Sequence, residues 1–329
     1  MKRVFVLLSV LALAVATVFA LAQSGKKITV VMIPKLVGID YFNATQKGAE
    51  EAAKELGNVT LRYVGPTEAS AAKQIELIEN AIQAKVDVIS VAANDPKALA
   101  PALQKARDAG IKVVTWDADA DSRDVFTNQA TFTGIGEALI DSMVDQIGKD
   151  GPAAIITSDL TAPNQNSWIA AMKDKIAKAY PNFKIVDTKA PGEDQQKAFQ
   201  AAQDLMKAYP DLKGIFALSS VAFPGAADAV KQAGKSGKVA VVGLSTPKQM
   251  APFVKDGTVR DVVLWNPIDL GYLSIYAARA AVDGTLKEGA KIKAGRLGEY
   301  TVTKDKLSLQ ILLGKPFIFN KSNIDNFNF

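Results

Sequence analysis

Lys35, Asp117, Asn164 and Gln165 each follow closely on a short β-branched or apolar run. Tyr41, Phe42 and Trp265 stand in the same kind of place. An ammonium donates hydrogen bonds, a carboxylate accepts them, and an amide does both. Aromatic rings add flat apolar faces. Together these groups suit a small molecule that carries several hydroxyls and apolar C–H faces. Further polar residues follow other apolar runs: Asn94 and Asp95, Asp119, Asp159, Ser219 and Ser220 ahead of Pro224, and Ser245-Thr246-Pro247.

Several of these positions have simpler roles. Asn94-Asp95-Pro96 reads as a helix cap and turn. Thr246-Pro247 reads as a helix start, with Ser245 or Thr246 as cap. Asp119 and Asp159 read as solvent-exposed turn residues. For Lys35 and Asp117, contact with a ligand is favoured over a purely structural salt bridge.

Enzymatic chemistry is poorly served. The chain has neither histidine nor cysteine, which removes the commonest general base, the commonest zinc ligand and the thiol nucleophile. No G-x-S-x-G elbow, P-loop or G-x-G-x-x-G motif opens a helix after a strand. Asp117 and Asp119 are two apart, so on a strand they would point opposite ways. A carboxylate pair brought together from separate loops stays open as a glycosidase arrangement. No catalytic residue, metal or cofactor is assigned.

The elements that must position these residues alternate. Apolar runs at Lys27 to Ile33, Val59 to Val64, Val86 to Ala92 and Ile111 to Trp116 read as strands. Amphipathic stretches at Asn43 to Leu56, Ser70 to Ala84 and Pro96 to Ala109 read as the helices between them. The pattern restarts at Ala153 and runs through strands at Lys184 to Thr188, Gly214 to Ala217 and Val239 to Leu244. Two βαβ series predict two doubly wound, mostly parallel-sheet α/β lobes. A strand at Val259 to Trp265, a helix at Asp269 to Asp283 and short strands at Glu299 to Thr303 and Pro316 to Phe319 must complete those sheets. The chain therefore crosses between lobes more than once, which makes a hinge and a closable cleft. The expected division gives residues 23–128 plus about 262–290 to the first lobe, and 129–261 plus about 291–329 to the second. Ligands of open α/β sheets sit outside the carboxyl ends of the strands, where the polar residues above collect.

Lys2 and Arg3, the apolar stretch Val4 to Phe19 and Ala20-Leu21-Ala22 read as a secretory signal cleaved before Gln23. Without Lys2 and Arg3 the 39 basic residues become 37 against 34 acidic ones. The mature charge near +3 is scattered, unlike a nucleic-acid footprint. With no cysteine the exported chain folds without disulfides and lacks a lipid-accepting residue, so a freely diffusing periplasmic protein is expected.

At these residues the sequence resembles periplasmic sugar-binding proteins of the type I fold, related to ribose-binding proteins, over essentially the whole mature chain. IPKLVG (Ile33 to Gly38), GPTEAS (Gly65 to Ser70), VVTWDAD (Val113 to Asp119) and GLSTP (Gly243 to Pro247) look like autoinducer-2-binding proteins. AANDPKAL (Ala92 to Leu99), LWNPIDLGY (Leu264 to Tyr272), AGRLG (Ala294 to Gly298) and PFIFNKSNID (Pro316 to Asp325) look more like rhamnose-binding proteins. The autoinducer-2 resemblance implies ligand contacts at Lys35, Asp117, Gln165, Pro224 and Ala226. That family usually has aspartate where this chain has Asn164. Rhamnose-type proteins have asparagine there but depart at Lys35-Leu36-Val37. The resemblance implies a monomer that captures a small sugar, or alternatively autoinducer-2, between its lobes. It would deliver the ligand to the membrane permease of an ABC importer, or dock on a chemoreceptor or sensor kinase. A DNA-binding regulator of this fold would carry a helix-turn-helix where the signal stands.

Overall fold

A computed structural model describes residues 25–329 of the chain; the expected secretory signal and its cleavage site lie outside the described residues. The parallel strands of the first lobe are β1 (Ile28–Ile33), β2 (Val59–Tyr63), β3 (Val88–Val91), β4 (Lys112–Trp116) and β5 (Val125–Ala130). They pair in parallel in the order β5-β4-β3-β1-β2. Between them run α1 (Asp40–Leu56), α2 (Ala71–Gln83) and α3 (Pro96–Asp108). Strands covered by helices on both faces read as largely apolar runs, as β1 and β3 do here, whereas β2 lies at the sheet edge and β5 carries polar residues. The period-2 alternation of β1 feeds two cores. Val30 and Met32 join one; Val31 and Ile33 join another, with Ile78 of α2 and Leu99 and Leu103 of α3. Burying each such side chain contributes roughly 1.5–3 kcal/mol. Side-chain caps fix the helix starts: Ser70 accepts from Lys73 N, and Asp95 accepts from Lys97 N and Ala98 N.

The second lobe contains α4 (Phe132–Ile147), β6 (Pro152–Ile156), α5 (Pro163–Ala179), β7 (Lys184–Lys189), α6 (Gln195–Ala208), β8 (Gly214–Ala217), α7 (Ala222–Gln232), β9 (Ala240–Gly243), α8 (Pro247–Lys255) and β10 (Asp261–Leu264). The chain then returns through α9 (Pro267–Val282), which packs on α1. These two helices meet backbone to backbone. A Cβ on Gly48 would lie 1.7 Å from Ile268 O, and one on Gly271 would lie 1.9 Å from Thr45 O. Only glycine permits that approach.

After α9 come β11 (Lys291–Lys293), β12 (Glu299–Lys304), β13 (Leu309–Gly314) and β14 (Phe317–Asn320). The first sheet runs β11-β12-β13-β5-β4-β3-β1-β2 and the second β14-β10-β9-β8-β6-β7. The two-lobe, mostly parallel architecture is therefore as expected, but the division of the late chain needs correction. The sequence pattern places residues 291–314 in the second lobe, yet β13 pairs in parallel with β5, Leu309 opposite Val125. The buried Arg123 holds it there by donating to Leu309 O at 2.6 Å. Conversely β10, placed partly in the first lobe, pairs with β9 and β14 in the second sheet. The crossings fall at Thr131, at Trp265-Asn266 and at Lys315-Pro316.

Candidate functional site

The carboxyl ends of both sheets face one cavity between the lobes. Its first-lobe wall is built around Asp117, which follows β4. Ala118 N donates to Trp116 O at 2.6 Å, closing a three-residue turn with Asp117 at φ 59°. A positive φ at a non-glycine residue is strained and persists only where its surroundings hold it. Gln129 supplies part of that hold, its Nε2 donating to Asp117 O at 3.0 Å. Tyr41, in the first turn of α1, donates its hydroxyl to Asp117 Oδ1 at 2.7 Å. Trp265, at the second crossing, donates Nε1 to the Tyr41 hydroxyl at 3.0 Å. Phe42 meets Tyr41 edge to face at 5.1 Å and Trp116 at 5.8 Å.

Lys35 follows β1 on a loop pinned from two sides. Gln74 Nε2 donates to Pro34 O, and Asn94 Nδ2 donates to Lys35 O at 2.9 Å. Asn94 and Asp95 thus keep the turn and cap roles read from the sequence, and Asn94 also seats the lysine. The buried ammonium crosses to the second lobe, donating to Asn164 Oδ1 at 3.0 Å. Asn164 Nδ2 lies 3.4 Å from Asp117 Oδ2. A single polar chain therefore runs from Trp265 through Tyr41, Asp117 and Asn164 to Lys35.

Asn164 and Gln165 sit in the first turn of α5, where no side chain caps the helix. Gln165 Oε1 accepts from Thr157 Oγ1 at 2.5 Å and Ser158 N at 2.7 Å, so its amide is oriented with the Nε2 end left as a donor. Of the residues predicted from sequence, Lys35, Tyr41, Phe42, Asp117, Asn164, Gln165 and Trp265 all line the cavity. Pro224 and Ala226 do not. They are buried inside α7, which packs on α6 so closely that a Cβ on Gly225 would lie 2.5 Å from Gln195 O. The preceding loop reaches the cavity instead, through Leu218, Ser219 and Ser220. Asp119 is also not a free turn residue: it is half-buried and ion-paired with Arg123 at 2.7 Å. Asp159 is exposed, as expected.

Two lining residues were missed, Trp168 and Glu193. Trp168 lies one turn beyond Asn164 on α5, hence on the same helix face. Its ring meets Trp265 at 5.9 Å. Glu193 follows β7, at another strand carboxyl end. Glu193 Oε2 and Trp168 Nε1 are buried and lack any hydrogen-bond partner. Lys35 and Glu193 also border a wider, more polar outer cleft that includes Glu68, Asp159 and Asp194.

The electrostatics follow from burial. Asp117 is pushed above the usual carboxylate range, chiefly by desolvation; the Lys35 charge and the Tyr41 hydrogen bond oppose the shift. Glu193 is raised for the same first reason, opposed by the Lys35 charge and by hydrogen bonds from the Ser219 and Ser158 side chains. Tyr41 is raised well above its ordinary value by burial and by the Asp117 charge. Among the described residues no cluster of acidic side chains suits a metal ion, and no helix is long and apolar enough to cross a membrane. The site can donate and accept hydrogen bonds around a compact ligand and stack aromatic rings against it.

Most of the chain is similar to known proteins. Residues 30–286 match the family model described as a periplasmic binding protein domain. A D-ribose/D-allose-binding protein of Pseudomonas aeruginosa is 29% identical over 296 residues, 85% of this chain and 86% of that one. An ABC transporter solute-binding protein from Clostridium phytofermentans, solved with bound L-rhamnose, superposes with a TM-score of 0.88 at 33% identity, covering 92% of this chain and 98% of the other. LsrB from Clostridium saccharobutylicum, solved with AI-2, gives a TM-score of 0.88 at 29% identity, covering 92% and 100%.

Proposed function

The chain belongs to the periplasmic binding protein family, and on that premise we propose that it captures a monosaccharide between its lobes and delivers it to the membrane permease of an ABC importer. The observation that carries this reading is the continuous polar chain from Trp265 to Lys35 along one side of the inter-lobe cavity. Such a chain gives ring hydroxyls an ionic acceptor in Asp117, a cationic donor in Lys35 and a two-way partner in Asn164. Trp168, Trp265 and Phe42 offer faces to C–H groups.

A rhamnose-like sugar is favoured by the second-lobe wall. Asn164 Nδ2 points at Asp117 Oδ2; an aspartate at that position would set two carboxylates against each other. The alternative is autoinducer-2, supported by Lys35 and Asp117 in the places its binders use and by the AI-2-bound structure above. Export through the leader, binding without turnover, and function in the periplasm complete the proposal. Calorimetric titration with L-rhamnose, D-ribose and autoinducer-2 tests it. Tight binding of L-rhamnose is expected, tight binding of autoinducer-2 alone would select the alternative, and no heat from any of them would reject sugar capture.

A further inference from the structure

We propose that Glu193 is a ligand-binding residue that accepts a hydroxyl hydrogen of the bound sugar and makes the cavity select uncharged sugars over anionic ones; this rests on the sugar-capture reading above. Glu193 Oε2 is buried and makes no hydrogen bond, although the Ser219 and Ser158 hydroxyls stand near the carboxyl and, with Lys35, oppose its upward shift. A carboxylate oxygen removed from water without a hydrogen bond is costly. The cavity holds a second orphan of opposite kind, the indole Nε1–H of Trp168. One acceptor and one donor, both unsatisfied and both on the second-lobe wall, complement sugar hydroxyls, which donate and accept. Neither Glu193 Oε2 nor Trp168 Nε1 makes a hydrogen bond within the protein, so each is open to a ligand hydroxyl.

Charge gives the selectivity. Among the residues lining the cavity Lys35 is the one cation, facing the carboxylates of Asp117 and Glu193. The two carboxylates act on each other as well as on the lysine, since Glu193 is among the groups that raise Asp117. A neutral sugar leaves that balance unchanged. A sugar acid or sugar phosphate adds a further negative charge beside two existing ones, in a site with little water to screen it. Glu193 and Lys35 also border the outer cleft, so an entering anion meets Glu193 before it reaches Asp117.

The test is calorimetry on the wild type and Glu193→Gln. L-rhamnose and D-ribose are the neutral probes, D-ribose 5-phosphate and D-galacturonate the anionic ones. For whichever neutral sugar binds the wild type, Glu193→Gln is expected to weaken affinity about ten-fold, the scale of one charge-assisted hydrogen bond. One monodeoxy analogue of that sugar should bind the wild type correspondingly worse and lose nothing further in the variant, which marks the direct contact. The wild type should reject both anions, and the variant should narrow that discrimination. Unchanged affinity in Glu193→Gln, an equal loss for every monodeoxy analogue, or wild-type binding of an anion as tight as of the neutral sugar would overturn the proposal. Should Glu193→Gln fold poorly by thermal unfolding, Glu193→Ser carries the same comparison. Failure of the wild type to bind any neutral sugar would instead reject sugar capture itself, and this proposal with it.

Discussion

The two walls of the cavity are finished to different degrees. On the first-lobe side, each polar side chain that faces the cavity is already engaged: Trp265 to Tyr41, Tyr41 to Asp117, Lys35 to Asn164. Scaffold contacts hold them in turn, through the strained turn at Asp117 and the glycine contact of α1 with α9. On the second-lobe side, Trp168 Nε1 and Glu193 Oε2 are buried and unmatched. The first wall is pre-organised, and the second awaits the atoms that complete it. Pre-organisation lowers the ordering cost of binding, while unsatisfied groups reject ligands that lack the matching atoms.

The largest effect should come from loosening the finished wall through its scaffold. Gly271→Ala forces a Cβ against Thr45 O in α1 and is expected to destabilise the chain by about 3 kcal/mol in urea unfolding. Stability like that of the wild type would show that the α1–α9 contact is not what fixes Tyr41 and Trp265. Asp117→Asn removes the ionic acceptor at the centre of the polar chain. It should weaken sugar affinity about 100-fold by calorimetry; a change below about three-fold would place the energetic weight on the other wall. Asn164→Asp joins the walls by repulsion, because the new carboxylate replaces a donor 3.4 Å from Asp117 Oδ2. An affinity loss of about ten-fold at neutral pH is expected, easing as the solution is acidified.

The smallest predicted effect reads the second wall without ligand. Burial raises Glu193 above the ordinary carboxylate range, so the folded chain keeps that proton to higher pH than the unfolded chain. The protonated group's contribution is full below about pH 4 and is lost as pH rises through the raised folded value. Glu193→Gln should therefore make the ligand-free protein more stable near pH 8, on the order of 1 kcal/mol, with the gain shrinking toward about pH 4. Equal stability of variant and wild type across that range would mean Glu193 is already satisfied.

Much of the first wall was legible in the sequence. Lys35, Tyr41, Phe42 and Asp117 sit directly after strands whose apolar runs are unambiguous, so the strand-end rule finds them. Asn164 and Gln165 were found the same way, aided by the resemblance. Trp168 escaped because it lies inside a helix, where a tryptophan reads as core. Glu193 escaped because β7 is a half-exposed strand and its following loop, Pro191-Gly192-Glu193-Asp194, looks like a turn and a cap. Asp194 does cap α6; its neighbour faces the cavity. Pro224 and Ala226 came from the resemblance; the sequence pattern already reads a helix from Ala222, and both lie buried inside α7. In the fold, β5 and α4 passed unnoticed because Val125–Ala130 mixes polar Thr127, Asn128 and Gln129 into a buried strand. The lobe of β11–β13 was unreadable locally, since β13 finds its partner β5 more than a hundred residues away.

A crystal structure of the complex with the sugar that binds most tightly decides most directly whether the ligand completes the second wall. One hydroxyl should lie within hydrogen-bonding distance, about 2.5–3.2 Å, of Glu193 Oε2, with another ligand oxygen at Trp168 Nε1 and the Trp265–Tyr41–Asp117 chain unmoved. A sugar seated in the outer cleft, or one held by Asp117 and Lys35 while Glu193 and Trp168 stay unpartnered, would contradict it.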